Sequence, residues 1–269
     1  MLTVSQLIAN GELEPALQQT QQQIRQSPAD AKLRVLLFQL YCISGLWDKA
    51  LNQLNVLRDL DASTLLMVST YEQVLQCEAL RKEVFAARKT PLVFGQPQEW
   101  MALMLEALKL ESDGNHSHAA ELRSQAMQQA PATPGSIDGT PFAWIADADV
   151  RLGPCLEAVI NGRYYWIPFM QISKIQLEKP TDLRDLVWLP AHFTWINGGE
   201  AEGFIPTRYP GSELAADTRI RLSRLTDWLP VADETVHGLG QRLFATDADD
   251  YALLDVRAIE LTTGATESQ

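Results

Sequence analysis

A glycine–alanine landmark recurs through the first half of the chain and restricts its fold more than any other feature. Gly11, Gly45 and Gly114 are each followed five residues later by an alanine, Ala16, Ala50 and Ala119. Twelve residues beyond those alanines lie Pro28, Ala62 and Pro131. Glycine admits the tight turn between two helices, the small alanine lets the second helix approach the first, and proline ends it. The first two glycines are 34 residues apart, the period of a tetratricopeptide unit; the third lies 69 further on, two periods plus one. Within one unit, Leu33, Leu36, Leu37, Leu40 and Tyr41 share a helical face, and Trp47, Ala50, Leu51, Leu54 and Leu57 share another. Residues 1–130 are therefore expected to form tetratricopeptide-like helical hairpins. The first is short of a full leading helix. The unit over 69–91 lacks the Gly and Ala landmarks and is expected as a degenerate repeat.

The pattern changes after 131–141, PATPGSIDGTP, which holds three prolines and two glycines and is expected to link two domains. Beyond it, Asn161-Gly162 and Asn197-Gly198-Gly199 each sit between β-rich arms, the strongest short-range hairpin signal. Residues 172–177, 185–190, 242–247 and 251–261 add strand candidates, and 212–228 reads as a helix capped by Ser212. The fold class expected is α+β, with helical hairpins followed by a β-rich α+β domain over 142–269.

Charge divides the same way. Of 22 basic and 34 acidic residues, 131–269 hold 11 and 20, so most of the net charge of -12 lies in the second half. Such a balance argues against nucleic-acid or anionic-membrane partners. A partner of that half should be basic, and the contact salt-sensitive. No apolar run reaches a membrane span, and the N-terminus carries no basic, apolar leader pattern, so a cytoplasmic protein is expected. Cys42, Cys77 and Cys155 form no CxxC pair and read as structural thiols.

Catalytic signatures do not emerge. No phosphate loop, nucleophile elbow or HExxH occurs, and Gly238-Leu-Gly240 lacks both the third glycine and the strand–helix setting of a dinucleotide fingerprint. His116 and His118 point to different helix faces, while His192 and His237 stand alone. Asp147 and Asp149 would share one face of a strand and could hold a divalent ion or work as acid and base; Asp247, Asp249 and Asp250 are a looser cluster. Neither has the rest of a calcium loop. No metal, cofactor or catalysis is expected.

Two sets of residues are candidates for contact with a partner. Helical-repeat alignment turns Val35 and Gln39, then Met101, Met104 and Leu108, toward a concave groove suited to an amphipathic helix. In the second half, Asp147, Asp149, Arg151, Asp182, Arg184, Asp185 and Arg208 lie in strings that also carry Trp144, Trp166, Trp188 and Tyr209. These are either structural ion pairs or a recognition surface of aromatic and Arg anchors, with Trp144, Trp166, Arg184, Trp188, Arg208 and Tyr209 as its members.

Those same strings, CEALRKEVFAARKTPLVFGQPQEW (77–100), FAWIADADVRLGPCLEAVINGRYYWIPF (142–169), PTDLRDLVWLPA, PTRYPGSE and GLGQRLFATD, closely resemble the ImpE family, accessory proteins of SciE or TagJ type in bacterial type VI secretion. The resemblance runs from the first hairpin to about Leu261. It implies a non-enzymatic cytoplasmic adaptor that binds the N-terminal helix of the small sheath subunit. It also implies a link to sheath recycling by the ClpV-type AAA+ ATPase, directly or through the sheath. A generic peptide-binding scaffold with another partner, or a metal-dependent enzyme using Asp147 and Asp149, are the alternatives.

Overall fold

The structure, a computed structural model, describes residues 2–96, 98–232 and 235–262. It is α+β. Helices α1 (Val4–Ala9) and α2 (Leu13–Gln26) form one hairpin, and α3 (Ala31–Ile43) and α4 (Trp47–Leu60) the next. A third comprises α6 (Glu99–Ser112) and α7 (His116–Gln129). Gly11, Gly45 and Gly114 stand at the three inter-helix turns with φ of 80°, 67° and 83°, a conformation that side chains with a Cβ resist. Ala16, Ala50 and Ala119 are fully buried where the second helix of each hairpin meets its partner.

Three expectations need correction. The 69–91 unit is no hairpin: α5 (Leu65–Phe85) runs unbroken for 21 residues, because no Gly or Pro interrupts it. The chain then enters the β half as β1 (Leu92–Val93), which pairs in parallel with β6 (Arg163–Pro168), before returning to α6. The Pro- and Gly-rich 131–141 segment carries β2 (Gly135–Ile137) and most of β3 (Thr140–Phe142), an edge hairpin turned through Asp138 and Gly139. Residues 212–228 hold a 3-10 turn, Ser212–Leu214, then α8 (Thr218–Arg221), capped by Asp217, and from Thr226 the start of a strand. Ser212 is no helix cap: its hydroxyl donates to the Tyr209 carbonyl at 2.5 Å and accepts from the Gly240 amide at 2.7 Å.

The remaining strands are β4 (Ile145–Asp147), β5 (Cys155–Ile160), β7 (Ile172–Leu177), β8 (Trp188–Trp195) and β9 (Glu200–Pro206). They are followed by β10 (Thr226–Ala232), β11 (Thr235–Gly240), β12 (Leu243–Thr246), β13 (Asp250–Ala252) and β14 (Ala258–Leu261). Among the described residues, nine strands make the main sheet, in the order β1-β6-β5-β9-β8-β7-β14-β2-β3. Strands β13-β12-β4 form a second sheet, and β10-β11 a two-stranded ribbon. Both expected Asn-Gly turns occur. At Asn161-Gly162 both residues have positive φ, which is what a two-residue turn between twisted strands requires.

Strand β5 is the wall between two cores. Every one of its six residues is buried. Cys155 and Val159 face the helices, joining Phe38, Tyr71, Trp166 and Trp188 in one apolar cluster. Leu156, Ala158 and Ile160 face the other way, toward Phe169, Phe193, Phe244 and Ile259. Period-2 alternation therefore places Glu157 on the helix side, in the seam between the two halves of the chain.

Candidate functional site

The seam is where the chemistry of this chain is concentrated. From α5, Arg81 projects toward β5 and makes a forked pair with Glu157, Nε to Oε2 at 2.7 Å and Nη2 to Oε1 at 2.6 Å. Its other donors reach the Arg208 carbonyl at 2.9 Å and Glu78 at 2.9 Å. On the far side, Arg242 binds both Glu157 and Asp147, and its Nε donates to the Pro206 carbonyl at 2.9 Å. The Tyr164 hydroxyl donates to Glu157 at 2.6 Å and receives the Trp166 indole N–H at 2.8 Å; the Trp188 indole donates to Glu78 at 3.0 Å. Tyr209 donates to Asp147 at 3.1 Å. Asp149 is held by Arg151 and by the Gly238 amide at 2.9 Å.

The electrostatics follow from how many guanidiniums each carboxylate receives. Burial alone would raise Glu157, but Arg81 and Arg242 together outweigh it and hold the group at about 2, ionised throughout the neutral range. Burial also acts on Asp147, which has only a share of Arg242 and stands beside Asp149; its carboxyl is pushed up to about 7. Asp149, with Arg151 to itself, goes the opposite way, below its ordinary value. Asp147 is thus poised to carry a proton near neutrality. That proton balances three guanidiniums, Arg81, Arg151 and Arg242, against the remaining carboxylates of the seam.

Arg208 plays a different part. Buried with no carboxylate in contact among the described residues, it donates to the carbonyls of Cys42 at 2.9 Å, Ile43 at 2.8 Å and Arg221 at 2.5 Å. Burial pulls it down to about 10. Its positive end completes the C-terminus of α3, where the last carbonyls have no partner in a next helical turn and a cation is favoured. A second clamp ties the third hairpin to the ribbon. Glu111 on α6 contacts Arg123 of α7 at 2.5 Å and His237 of β11 at 2.7 Å. Despite its burial, those two bonds hold Glu111 at about 2.

These positions revise both candidate surfaces. The groove-facing residues are already covered by the chain itself. Gln39 donates to Asp182, Met101 lies 3.8 Å from Cys155, and the Met104 and Met127 methyls pack over Gly153. Met101, Met104 and Leu108 are core, and Val35 is half-buried. Of the second-half anchors, Trp166, Trp188, Arg208 and Tyr209 are buried, because they hold the seam together and do not face solvent. Arg184 is partly exposed, paired with Asp182 at 2.9 Å and stacked 4.8 Å over Tyr71. Trp144 alone among the six is exposed, at 40%. Asp147 and Asp149 face Arg242 and Arg151 where a divalent ion would need free oxygens, and Asp247 accepts the Ala143 amide at 2.6 Å.

Sequence reasoning missed the central members, Arg81, Glu157 and Arg242. A signal existed. Glu157 interrupts the apolar run LEAVI, and Arg81 lies on the buried stripe of α5 with Val74, Cys77 and Val84. A charge at such a place requires an opposite charge from elsewhere in the chain.

Residues 139–260 match the family described as ImpE protein. A relative from Pseudomonas aeruginosa, the type VI secretion system accessory component TagJ, is 48% identical over 259 residues, covering 96% of this chain and 91% of its own length. The chain belongs to the ImpE family. The matched segment encloses Asp147, Asp149, Glu157, Arg208 and Arg242, while Arg81 lies outside it. A crystal structure of the protein VPA1032 from Vibrio parahaemolyticus has the same fold, with a TM-score of 0.88 at 25% identity, covering 96% of this chain and 97% of that one. Helical half and β half are therefore shared together, as expected if the ImpE seam joins them into one unit.

Proposed function

We propose that this ImpE protein is a non-catalytic accessory component of type VI secretion that works in the cytoplasm as an adaptor. Its partner in this reading is the N-terminal helix of the small sheath subunit, and through the sheath it serves recycling by the ClpV-type AAA+ ATPase. The observation that carries the reading is the 48% identity, over nearly the whole of both chains, to a protein named as such an accessory component. The interior chemistry supports it. Asp147, Asp149 and Glu157 are each engaged by guanidiniums and shielded from solvent, which suits a rigid scaffold better than acid–base turnover.

The test is co-purification of the small sheath subunit with this chain, with and without that subunit's N-terminal helix. Capture that disappears on deleting the helix is the expected result. Capture that persists without it refutes helix recognition, and a different partner in an unbiased pull-down favours a general peptide-binding scaffold.

A further inference from the structure

The helices cover only part of the sheet face on which they pack. On β8, period-2 alternation puts Pro190, His192 and Thr194 on the same side as Trp188, which belongs to the helix-side core. On β9, Glu202 and Glu200 share the side of Phe204, which packs against that core. Past Gln73 and Val74 of α5 this face is open. A hollow of about 310 Å³ between α5 and β9 meets one of about 510 Å³ over β8 and β7, and Pro190 and Glu202 line both. Together they make one trough that runs across the strands from α5 to Arg257, the residue before β14.

Its dimensions select the form of an occupant. Along the strands the trough takes in residues 176–178 of the β7 side, 190–192 of β8 and 202–204 of β9. Two residue steps measure about 7 Å, narrower than a helix with its side chains at about 10–12 Å. Across the sheet the order β5-β9-β8-β7-β14 gives about 19 Å at the usual strand spacing, the reach of about six extended residues. Its charge selects the side chains. On the same face Lys174 is paired with Glu260 at 2.9 Å, and the Arg257 guanidinium is turned to the carbonyls of Val256 and Leu254. Glu178, Glu200 and Glu202 have no Lys or Arg partner among the described residues. The His192 imidazole lies 3.7 Å from Glu200 and 2.7 Å from Glu202, whose side chains remain 64% and 79% exposed.

We propose that an extended segment of a partner protein, bearing lysine and arginine, lies in this trough. It crosses the strands over Pro190, with its cationic side chains on Glu178, Glu200 and Glu202. The complementarity is one of charge: the face has spent its own cations on Glu260 and on backbone carbonyls and keeps three carboxylates for an incoming one. The proposal goes beyond the helix-binding reading, since it concerns a second contact of different shape; a helix bound elsewhere on the chain leaves it unaffected. A contact made by exposed charges is screened, so affinity should fall about tenfold between about 20 and 200 mM salt.

The experiment titrates a fluorescent hexa-arginine peptide with the full chain and follows its polarisation. Three variants are compared with the wild type, all at exposed positions, and thermal melts establish that each is folded. Glu178→Gln/Glu202→Gln should lose about tenfold in affinity, the worth of two exposed ion pairs. Gln176→Trp fills the trough without changing the charge and should lose a similar factor. Glu99→Gln/Glu121→Gln removes the same two charges from α6 and α7 and should change affinity less than about twofold. Equal losses in the two double variants assign the binding to the general attraction of an acidic chain and overturn the proposal. Unchanged affinity of Gln176→Trp places the peptide outside the trough and overturns it too, as does absence of binding to the wild type. None of these results bears on recognition of the sheath helix, which the co-purification tests separately.

Discussion

Replacing Glu157 by Gln is the most direct challenge to the account of the seam. The side chain keeps its size but loses its charge, leaving Arg81 and Arg242 facing an amide. The magnitude follows from the environment. A carboxyl held at about 2 in place of its ordinary 4.5 prefers its ionised form by about 3 kcal/mol. Removing one partner from a buried ion pair independently suggests about 3–5 kcal/mol. Glu157→Gln should therefore destabilise the fold by about 3 kcal/mol, or lower the melting temperature by about 6–12 °C for a chain of this size. Urea titration followed by tryptophan fluorescence is the assay, since the Trp166 and Trp188 indoles both bond to members of the network. Asp147→Asn is the built-in contrast. Asp147 is already part-protonated near pH 7, so that change should cost less than about 1 kcal/mol at neutral pH. A loss below about 1 kcal/mol for Glu157→Gln, or equal losses for the two variants, would refute the division of charge argued from the geometry.

Two further outcomes are expected. Glu157 and Glu111, both held at about 2, contribute stability that is full above 4.5 and is lost as the pH falls toward 2. Asp147, raised from 3.8 to about 7, acts the other way: its contribution is full below its unfolded value and is lost as the pH rises through 7. The melting temperature should then peak at about pH 5 and decline toward pH 8, and Asp147→Asn should remove the alkaline decline; identical profiles for the two proteins would contradict this. Met104→Asp, which the groove reading would treat as a binding mutation in an intact fold, should instead unseat α6 from β5. Met104 is buried, and a carboxylate there costs several kcal/mol, visible as a lowered melting temperature and faster proteolysis of the third hairpin.

Periodic features of the sequence carried through to the fold closely, and pairings between distant residues did not. The Gly–Ala landmarks found all three hairpin turns, the register from Trp47 to Leu57 lies within one helix, Trp47–Leu60, and β7 coincides with the run 172–177. Each of these depends on neighbours within a few residues. By contrast, Arg81 meets Glu157 across 76 residues and Arg242 meets it across 85, and no local pattern joins them. The same limit explains α5. An unlandmarked stretch of the right length was expected to fold as a degenerate hairpin, but with no glycine to turn it, it became one helix leading into the sheet. At the candidate surfaces, residue type was informative and orientation was not: Trp and Arg clusters marked energetically important positions, but those positions join the chain to itself.

That self-contact changes where a partner can dock. In an open helical repeat, the concave face is the natural groove for a helix. Here α3 is occupied by Asp182 and Arg208, α5 by Glu157, and α6 by Cys155 and Gly153, all from the second half. Opening that face would expose the apolar cluster on the helix side of β5 and separate a buried set of guanidiniums and carboxylates, a cost beyond what a short helix could return on binding.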